Sequence, residues 1–171
     1  MNKLFFLPIY FEFQSTLKTI REVLISSLFR ISSQIYIAIK PASPWDISVK
    51  ELLQYHYTTL GFHLGCFLLK HDFTPQPKCE DHDIFHLITG YDIDTSNEIA
   101  MQFWLFGNGK RSYYIPIALL AGILFYPDSY SLFKTALKNG RESLPVYHKN
   151  YRDLLHIPIS QLKPVKTTYK L

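Results

Sequence analysis

Residues that stop a helix punctuate this chain at short intervals, and between them the apolar residues recur with helical rather than strand spacing. Pro41 and Pro44, Pro75 and Pro77, Gly90, Gly107-Asn108-Gly109, Pro127 and Gly140 cut the sequence into helix-length pieces. Proline cannot continue a helix and biases the residue before it toward extended geometry, while glycine readily takes the left-handed conformation that closes one. No long stretch alternates apolar and polar residues, and no internal repeat is present. The pattern predicts an all-α fold. A chain of 171 residues is long enough to bury one sizeable core, so residues 1–171 are expected to form a single compact helical domain, with residues 1–45 as an N-terminal helical segment and residues 46–171 as its main body.

Within that frame, residues 10–40 read as an amphipathic helix with room for a break: Leu17, Ile20, Val23, Leu24, Leu28 and Ile31 follow helical spacing, with Lys18, Arg21 and Glu22 off that face. A second helix is expected to begin near Asp46 or Ser48 and to run on toward Lys70. Gly61 and Gly65 stand one turn apart beside a stripe of Leu60, Leu64, Phe67 and Leu68. Small residues there let another segment approach closely, a packing role favoured over a dimerisation motif. Helices follow from Glu80 to Thr89, closed by Gly90, and from Thr95 through Phe106. The segment from Tyr113 to Tyr126 is apolar all round, which predicts burial. Another helix is expected from Ser129 to Asn139, ended by Gly140, and a short one over Tyr151–Leu155.

Composition narrows the function classes. The net charge of +4 is mild, and the lysines at positions 163, 166 and 170 form no long basic block, so nothing argues for a nucleic-acid partner. Cys66 and Cys79 are isolated thiols that suit a reducing cytoplasm better than a disulfide scaffold. The apolar start, Leu4-Phe5-Phe6-Leu7, meets Pro8 and Glu12 too soon for a signal peptide. The run from Tyr113 to Tyr126 is too short to span a bilayer comfortably and carries Pro116 and Gly122. The 13 Phe and 12 Tyr are numerous, and aromatics at that density can line an apolar pocket or meet a membrane surface. A soluble protein, or one peripheral on a membrane, is the expectation.

The segment Glu80-Asp81-His82-Asp83-Ile84-Phe85-His86 carries the most chemistry. His82 and His86 stand at i and i+4 of the expected helix, so both rings project from one face and can share a metal ion. Asp83 lies near the edge of that face and offers a hard oxygen. Glu98 falls on the next helix, beyond the Gly90 stop, where a helical hairpin would bring it back over the histidines. Two nitrogen and two oxygen donors suit a divalent metal such as Zn²⁺, Fe²⁺ or Mn²⁺. Each residue also has a plainer reading. Acids are favoured in a first helical turn, Thr95-x-x-Glu98 is a capping box in which Glu98 would bond the helix start, and either histidine could be an ordinary core or surface residue.

His-Asp-x-x-His followed by eleven residues and Glu resembles the metal motif of the fourth coenzyme Q (ubiquinone) biosynthesis protein family, through His82, Asp83, His86 and Glu98. Leu60-Gly61-Phe62-His63-Leu64-Gly65, His71-Asp72-Phe73-Thr74-Pro75, Leu87-Ile88-Thr89-Gly90, Gly140-Arg141 and the Tyr151–Leu155 segment with Pro158 and Leu162 look similar as well. The resemblance covers roughly residues 50–165, and the lack of a mitochondrial presequence points to a bacterial member. It implies an all-helical, dimeric protein that holds a polyprenylated ring precursor, or another isoprenoid lipid, at a membrane. The family is associated with decarboxylating and hydroxylating that ring and with organising the other quinone-biosynthesis enzymes. Phe85, Phe103, Trp104 and Phe106 are candidate wall residues for the lipid.

Three functions are therefore weighed: a metal-dependent enzyme acting on a prenylated quinone precursor, a non-catalytic lipid-binding scaffold, and a His-Asp metal phosphohydrolase. The last needs a further His (His63 or His71) and a further Asp (Asp92, Asp94 or Asp128) near the metal.

Overall fold

The computed structural model describes residues 6–41 and 43–166, without the side chains of residues 6–15, 17, 18, 26, 29, 32, 33 and 36. The parts of the sequence reading that fall on the Leu17 and Lys18 side chains, the first five residues and Lys170 lie outside this description. Seven α-helices follow in order: α1 (Phe6–Ile39), α2 (Val49–Leu52), α3 (Leu60–Lys70), α4 (Glu80–Thr89), α5 (Thr95–Gly107), α6 (Ile115–Phe125) and α7 (Tyr130–Arg141). Three single 3-10 turns complete the set, at Pro127–Ser129, Tyr151–Leu154 and Ile159–Gln161. The described residues contain only two isolated β-bridges, and the fold is all-α.

Residues 10–39 lie within one continuous helix, with no break, that ends before Pro41, as a proline stop requires. The expected helix from Ser48 to Lys70, by contrast, is two. Ser48 caps α2 through a capping box with Glu51, but the chain turns after Leu52 and restarts at Leu60. Tertiary contacts explain the restart. The N–H groups of Leu60 and Gly61, which no helical turn could satisfy, donate to the carbonyls of Ile157 and Leu155 at 2.9 and 2.8 Å. The C-terminal segment thus caps α3 from outside. Gly61 and Gly65 let the chain just before α3 fold back on it: a Cβ at Gly61 would lie 2.8 Å from the Tyr55 ring, and one at Gly65 3.0 Å from the Leu52 Cβ.

The most intimate helix pair is α5 with α7, and it overturns the reading of Gly140 as a stop. α7 continues through Gly140 to Arg141. A Cβ at Gly140 would run into the Trp104 carbonyl, and one at Gly107 into the Leu137 carbonyl, so two glycines allow backbone to meet backbone. Buried Asn108 locks the end of this pair, donating to the carbonyls of Gly140, Ser143 and Leu144 and accepting from Val146 N–H.

The core runs from Ile25 through Leu64, Phe85, Ile99, Trp104 and Phe133 to Tyr151 and Leu162. It does not enclose α6. Ile115, Ala118 and Gly122 are buried, but Ile117, Leu120, Ile123, Leu124 and Phe125 are exposed, so the expected all-round burial is replaced by a half-buried helix with an apolar outer face. The apolar stripe of α1 is likewise in solvent at Ile20, Val23, Leu24, Leu28 and Ile31, and continues through Ile35 and Ile39. α1 is held instead by Ile25, which is fully buried, and by Arg21. The Arg21 guanidinium lies over the Tyr126 ring at 4.1 Å and pairs with Asp128 at 2.9 Å.

Candidate metal centre

α4 places His82 and His86 one turn apart on the side of the helix that faces α5. Gly90, at φ 79°, closes α4 in the left-handed conformation that glycine adopts without strain, and the chain turns back within five residues. The start of α5 then decides the position of Glu98. Asp94, not Thr95, is the N-cap: its carboxylate accepts from the N–H groups of Ser96 and Asn97. Glu98 is thereby one position past the place where a capping-box glutamate would reach back, and its carboxylate is turned toward α4.

There it meets both histidines. Glu98 Oε1 lies 3.0 Å from His86 Nε2, Glu98 Oε2 lies 3.3 Å from His82 Nε2, and the two Nε2 atoms are 3.2 Å apart. The donors of His82, His86 and Glu98 all fall within 4.8 Å of one another. His86 is oriented from behind, because its Nδ1 donates to the Tyr91 carbonyl at 3.0 Å. That bond keeps a proton on Nδ1 and turns Nε2 to the cluster, where it donates to Glu98 when protonated and offers a lone pair to a metal when not, the outer-shell arrangement usual for metal-binding histidines. Phe67 stacks on the His86 ring at 5.7 Å and 18°, closing its other face.

Asp83 stands outside this group of three converging donors, though close enough to interact with all of them. Burial raises its carboxyl to about 6 against the pull of His82 and His86. Burial would also raise Glu98, but hydrogen bonds and charge from the two histidines prevail and hold it down at about 2. For His86, burial disfavours the cation, yet Glu98, the Tyr91 carbonyl and Asp83 together lift its pKa above the ordinary value. Three groups so tightly interdependent, with two nitrogen lone pairs and a carboxylate aimed at one point, fit a divalent cation by donor chemistry.

The cluster opens on a cavity of about 820 Å³ that His82 and Glu98 line together with Phe85, Gln102, Lys110, Tyr114 and others. Of the four aromatic residues expected at a lipid wall, Phe85 is on this cavity. Phe103 stacks on Phe133 at 4.9 Å, Trp104 is buried in the core, and Phe106 lies beneath the Arg111 guanidinium at 4.4 Å. The cationic residues and Gln102 were not foreseen. Gln102 repeats Glu98 one turn on, a spacing visible in the sequence once Glu98 is assigned to the site. Of the residues a phosphohydrolase would need, none of His63, His71, Asp92, Asp94 and Asp128 belongs to the converging group: His71 packs with Phe67 and Phe73, Asp94 caps α5, and Asp128 pairs with Arg21.

An all-helical fold with a two-histidine, one-carboxylate cluster on a helical hairpin is thus the class of protein defined here. Neither a protein-family model nor a curated protein matches the sequence. Among solved structures, the chain resembles the crystal structure of a "putative ubiquinone biosynthesis protein" from Nostoc punctiforme, with a TM-score of 0.55 and 16% sequence identity. The match covers 90% of this chain and 84% of that one, so the two share an overall fold.

Proposed function

We propose that this chain binds a divalent metal through His82, His86 and Glu98, with Asp83 as an adjoining oxygen donor, and acts in quinone biosynthesis on a prenylated aromatic precursor. The observation that carries this reading is the convergence of both Nε2 atoms on the Glu98 carboxylate, which with His82 lines a cavity large enough for a ring and the first part of its tail. The fold shared with the Nostoc punctiforme protein supports the pathway.

The proposed reaction replaces the ring carboxylate with a hydroxyl group and uses dioxygen as the oxidant: overall, two molecules of the ring acid and one of dioxygen give two of the phenol and two of carbon dioxide. A bound metal supplies Lewis acidity and a coordination position for substrate oxygen. The protein's own residues do the rest. His86, fixed by Tyr91 and Phe67, and Glu98, fixed by the Asp94 cap, give a donor set that needs little reorganisation. Phe85 and Tyr114 present apolar surface to the ring and keep water from it.

This reading sends the prenyl tail toward the outer faces of α1 and α6, which carry Ile20, Leu24, Leu28, Ile31, Leu120 and Leu124 in solvent. Contiguous apolar residues on that scale mark a membrane or protein contact. Among the described residues no single helix is long and apolar enough to cross a bilayer, and the reading takes these faces as a peripheral seat on the inner face of the cytoplasmic membrane. A second copy of the chain on the same faces, giving a homodimer, is the competing outcome. The lipid-binding scaffold stays as a second reading, because the cavity and the apolar faces serve it equally well. Other quinone-biosynthesis enzymes would be its partners.

Metal analysis of the purified protein and of His86→Ala tests the site: one equivalent in the wild type and none in the variant is expected. Incubating the iron-, manganese- or zinc-loaded protein with a prenylated 4-hydroxybenzoate and dioxygen, and measuring carbon dioxide, separates enzyme from scaffold. Stoichiometric metal with no carbon dioxide from any loaded form selects the scaffold; no metal under any loading removes the proposed function.

A further inference from the structure

The segment His71-Asp72-Phe73 lies outside the converging donor group, yet its rings connect to it. α3 closes in a paired turn: Phe73 N–H donates to the Leu68 carbonyl at 2.9 Å and Asp72 N–H to the Leu69 carbonyl at 3.3 Å. This closure requires a left-handed residue just past the helix cap. Asp72 takes that place at φ 54°, a conformation glycine would adopt with less strain. The reversal carries Phe73 back over the end of α3. His71 stacks on Phe73 at 5.6 Å and 28°, and the two rings bear on Phe67 at 4.8 and 6.5 Å.

Phe67 is the link to the cluster. Its ring is nearly parallel to that of His86, at 18° and 5.7 Å. The terminal torsion of a histidine is broad and roughly two-fold. The hydrogen bond from Nδ1 to the Tyr91 carbonyl anchors one atom of the imidazole, whereas a stacked partner fixes the plane of the whole ring. The torsion of Phe67 is just as soft, and His71 and Phe73 are what restrain it. Tilted and offset contacts of this kind are the favoured geometries of aromatic pairs.

We propose that His71 and Phe73 are positioning residues for His86: they clamp Phe67, and Phe67 holds the imidazole plane so that Nε2 stays aimed at Glu98 and His82. His71 serves here as a flat ring, neither a ligand nor a proton carrier. The inference rests on the cluster being the metal site of the proposed function, but the ring geometry it concerns belongs to the metal-free protein as well.

Two measurements on the full-length protein test it. One is zinc affinity, by competition with a chromophoric chelator. The other, in the metal-free protein, is the NMR shift of the His86 ring protons, which the ring current of Phe67 displaces. His71→Phe keeps a flat ring and should leave those shifts in place, with zinc affinity within about twofold of the wild type, whereas His71→Ala should weaken zinc about tenfold, as loss of outer-shell support does. His71→Ala should also move the His86 signals toward the position they take in Phe67→Leu. Because His71 acts through Phe67, adding His71→Ala to Phe67→Leu should weaken zinc no further, whereas a general loosening of the fold would add to the first loss. If Phe67→Leu does not fold, Phe73→Ala, at a position 42% exposed, takes its place and should move the His86 signals in the same direction as His71→Ala. Equal effects of His71→Phe and His71→Ala overturn the proposal, as do additive losses in the double variant or His86 signals that neither His71→Ala nor Phe73→Ala moves. A wild type that binds no zinc removes the proposed function and leaves the ring-proton shifts to decide the positioning; tight zinc binding with unmoved shifts does the reverse.

Discussion

His86 shows how one side chain is tied into packing, hydrogen bonding and charge at once. It is 3% exposed, stacked on Phe67, bonded through Nδ1 to the Tyr91 carbonyl and through Nε2 to Glu98. The titration of the cluster has a definite sign. Glu98 is depressed from its ordinary 4.5 to about 2, so its stabilising effect is complete above about pH 4.5 and lost as the pH falls toward 2. His86 is raised above its ordinary 6.5, so its effect is complete below 6.5 and lost as the pH rises through the folded-state value. Asp83, raised from 3.8 to about 6, takes stability away as it ionises through that interval. The metal-free protein is therefore expected to be most heat-stable on the acid side of neutrality, as a pH series of melting curves would show. Metal competes with the His86 proton, so zinc affinity should still be climbing above pH 6.5, with proton release visible as a buffer-dependent binding enthalpy. A flat melting profile from pH 4 to 8 in the metal-free protein would contradict both statements.

At the scale of elements, the start of α5 and its contact with α7 are the decisive joints. Asp94 caps α5 through two backbone N–H groups and so releases Glu98 from that duty. Asp94→Ala is expected to cost about 1 kcal/mol in chemical unfolding and to weaken zinc binding, because the first turn then frays beneath the carboxylate. A loss of stability with unchanged zinc affinity would show that Glu98 is placed by other contacts. Gly140→Ala drives a methyl group into the Trp104 carbonyl. The helices must part, and a loss of about 1–3 kcal/mol or more is expected in the same assay. The helix boundaries that the sequence made legible are those set by residues acting alone: Pro41, Gly90 and Pro127. Those it misplaced are set by contacts between distant segments. The restart at Leu60 depends on carbonyls near residue 155, and the passage of α7 through Gly140 depends on α5.

For the whole molecule, the unresolved balance is between its core and its outer faces. Leu120 and Leu124 are 58% and 62% exposed on α6, so changing both to serine should leave the unfolding free energy within about 0.5 kcal/mol. The same double variant should lose much of its binding to vesicles of anionic phospholipid in a co-sedimentation assay. If vesicle binding persists while a dimer seen by ultracentrifugation falls apart, the face joins two copies instead. Hydrophobic periodicity could not foresee this exposure, because a uniformly apolar helix carries the same pattern whether it faces a core, a lipid surface or another chain.

The sequence alone determined that the fold is helical and that His82 and His86 share a face, because proline and glycine act on their own backbone and a helix repeats every turn. It also offered Glu98 as a partner, but left it equally able to cap its own helix. Only the tertiary structure decided that: Asp94 takes the cap, the Gly90 turn folds α5 onto α4, and the carboxylate is left facing two imidazole nitrogens. The same holds for the cations of the cavity, Arg30 of α1, Lys40 just beyond it, and Lys110 and Arg111 of the loop after α5. Side chains from segments so far apart in the chain are brought together by packing, and no local pattern encodes that.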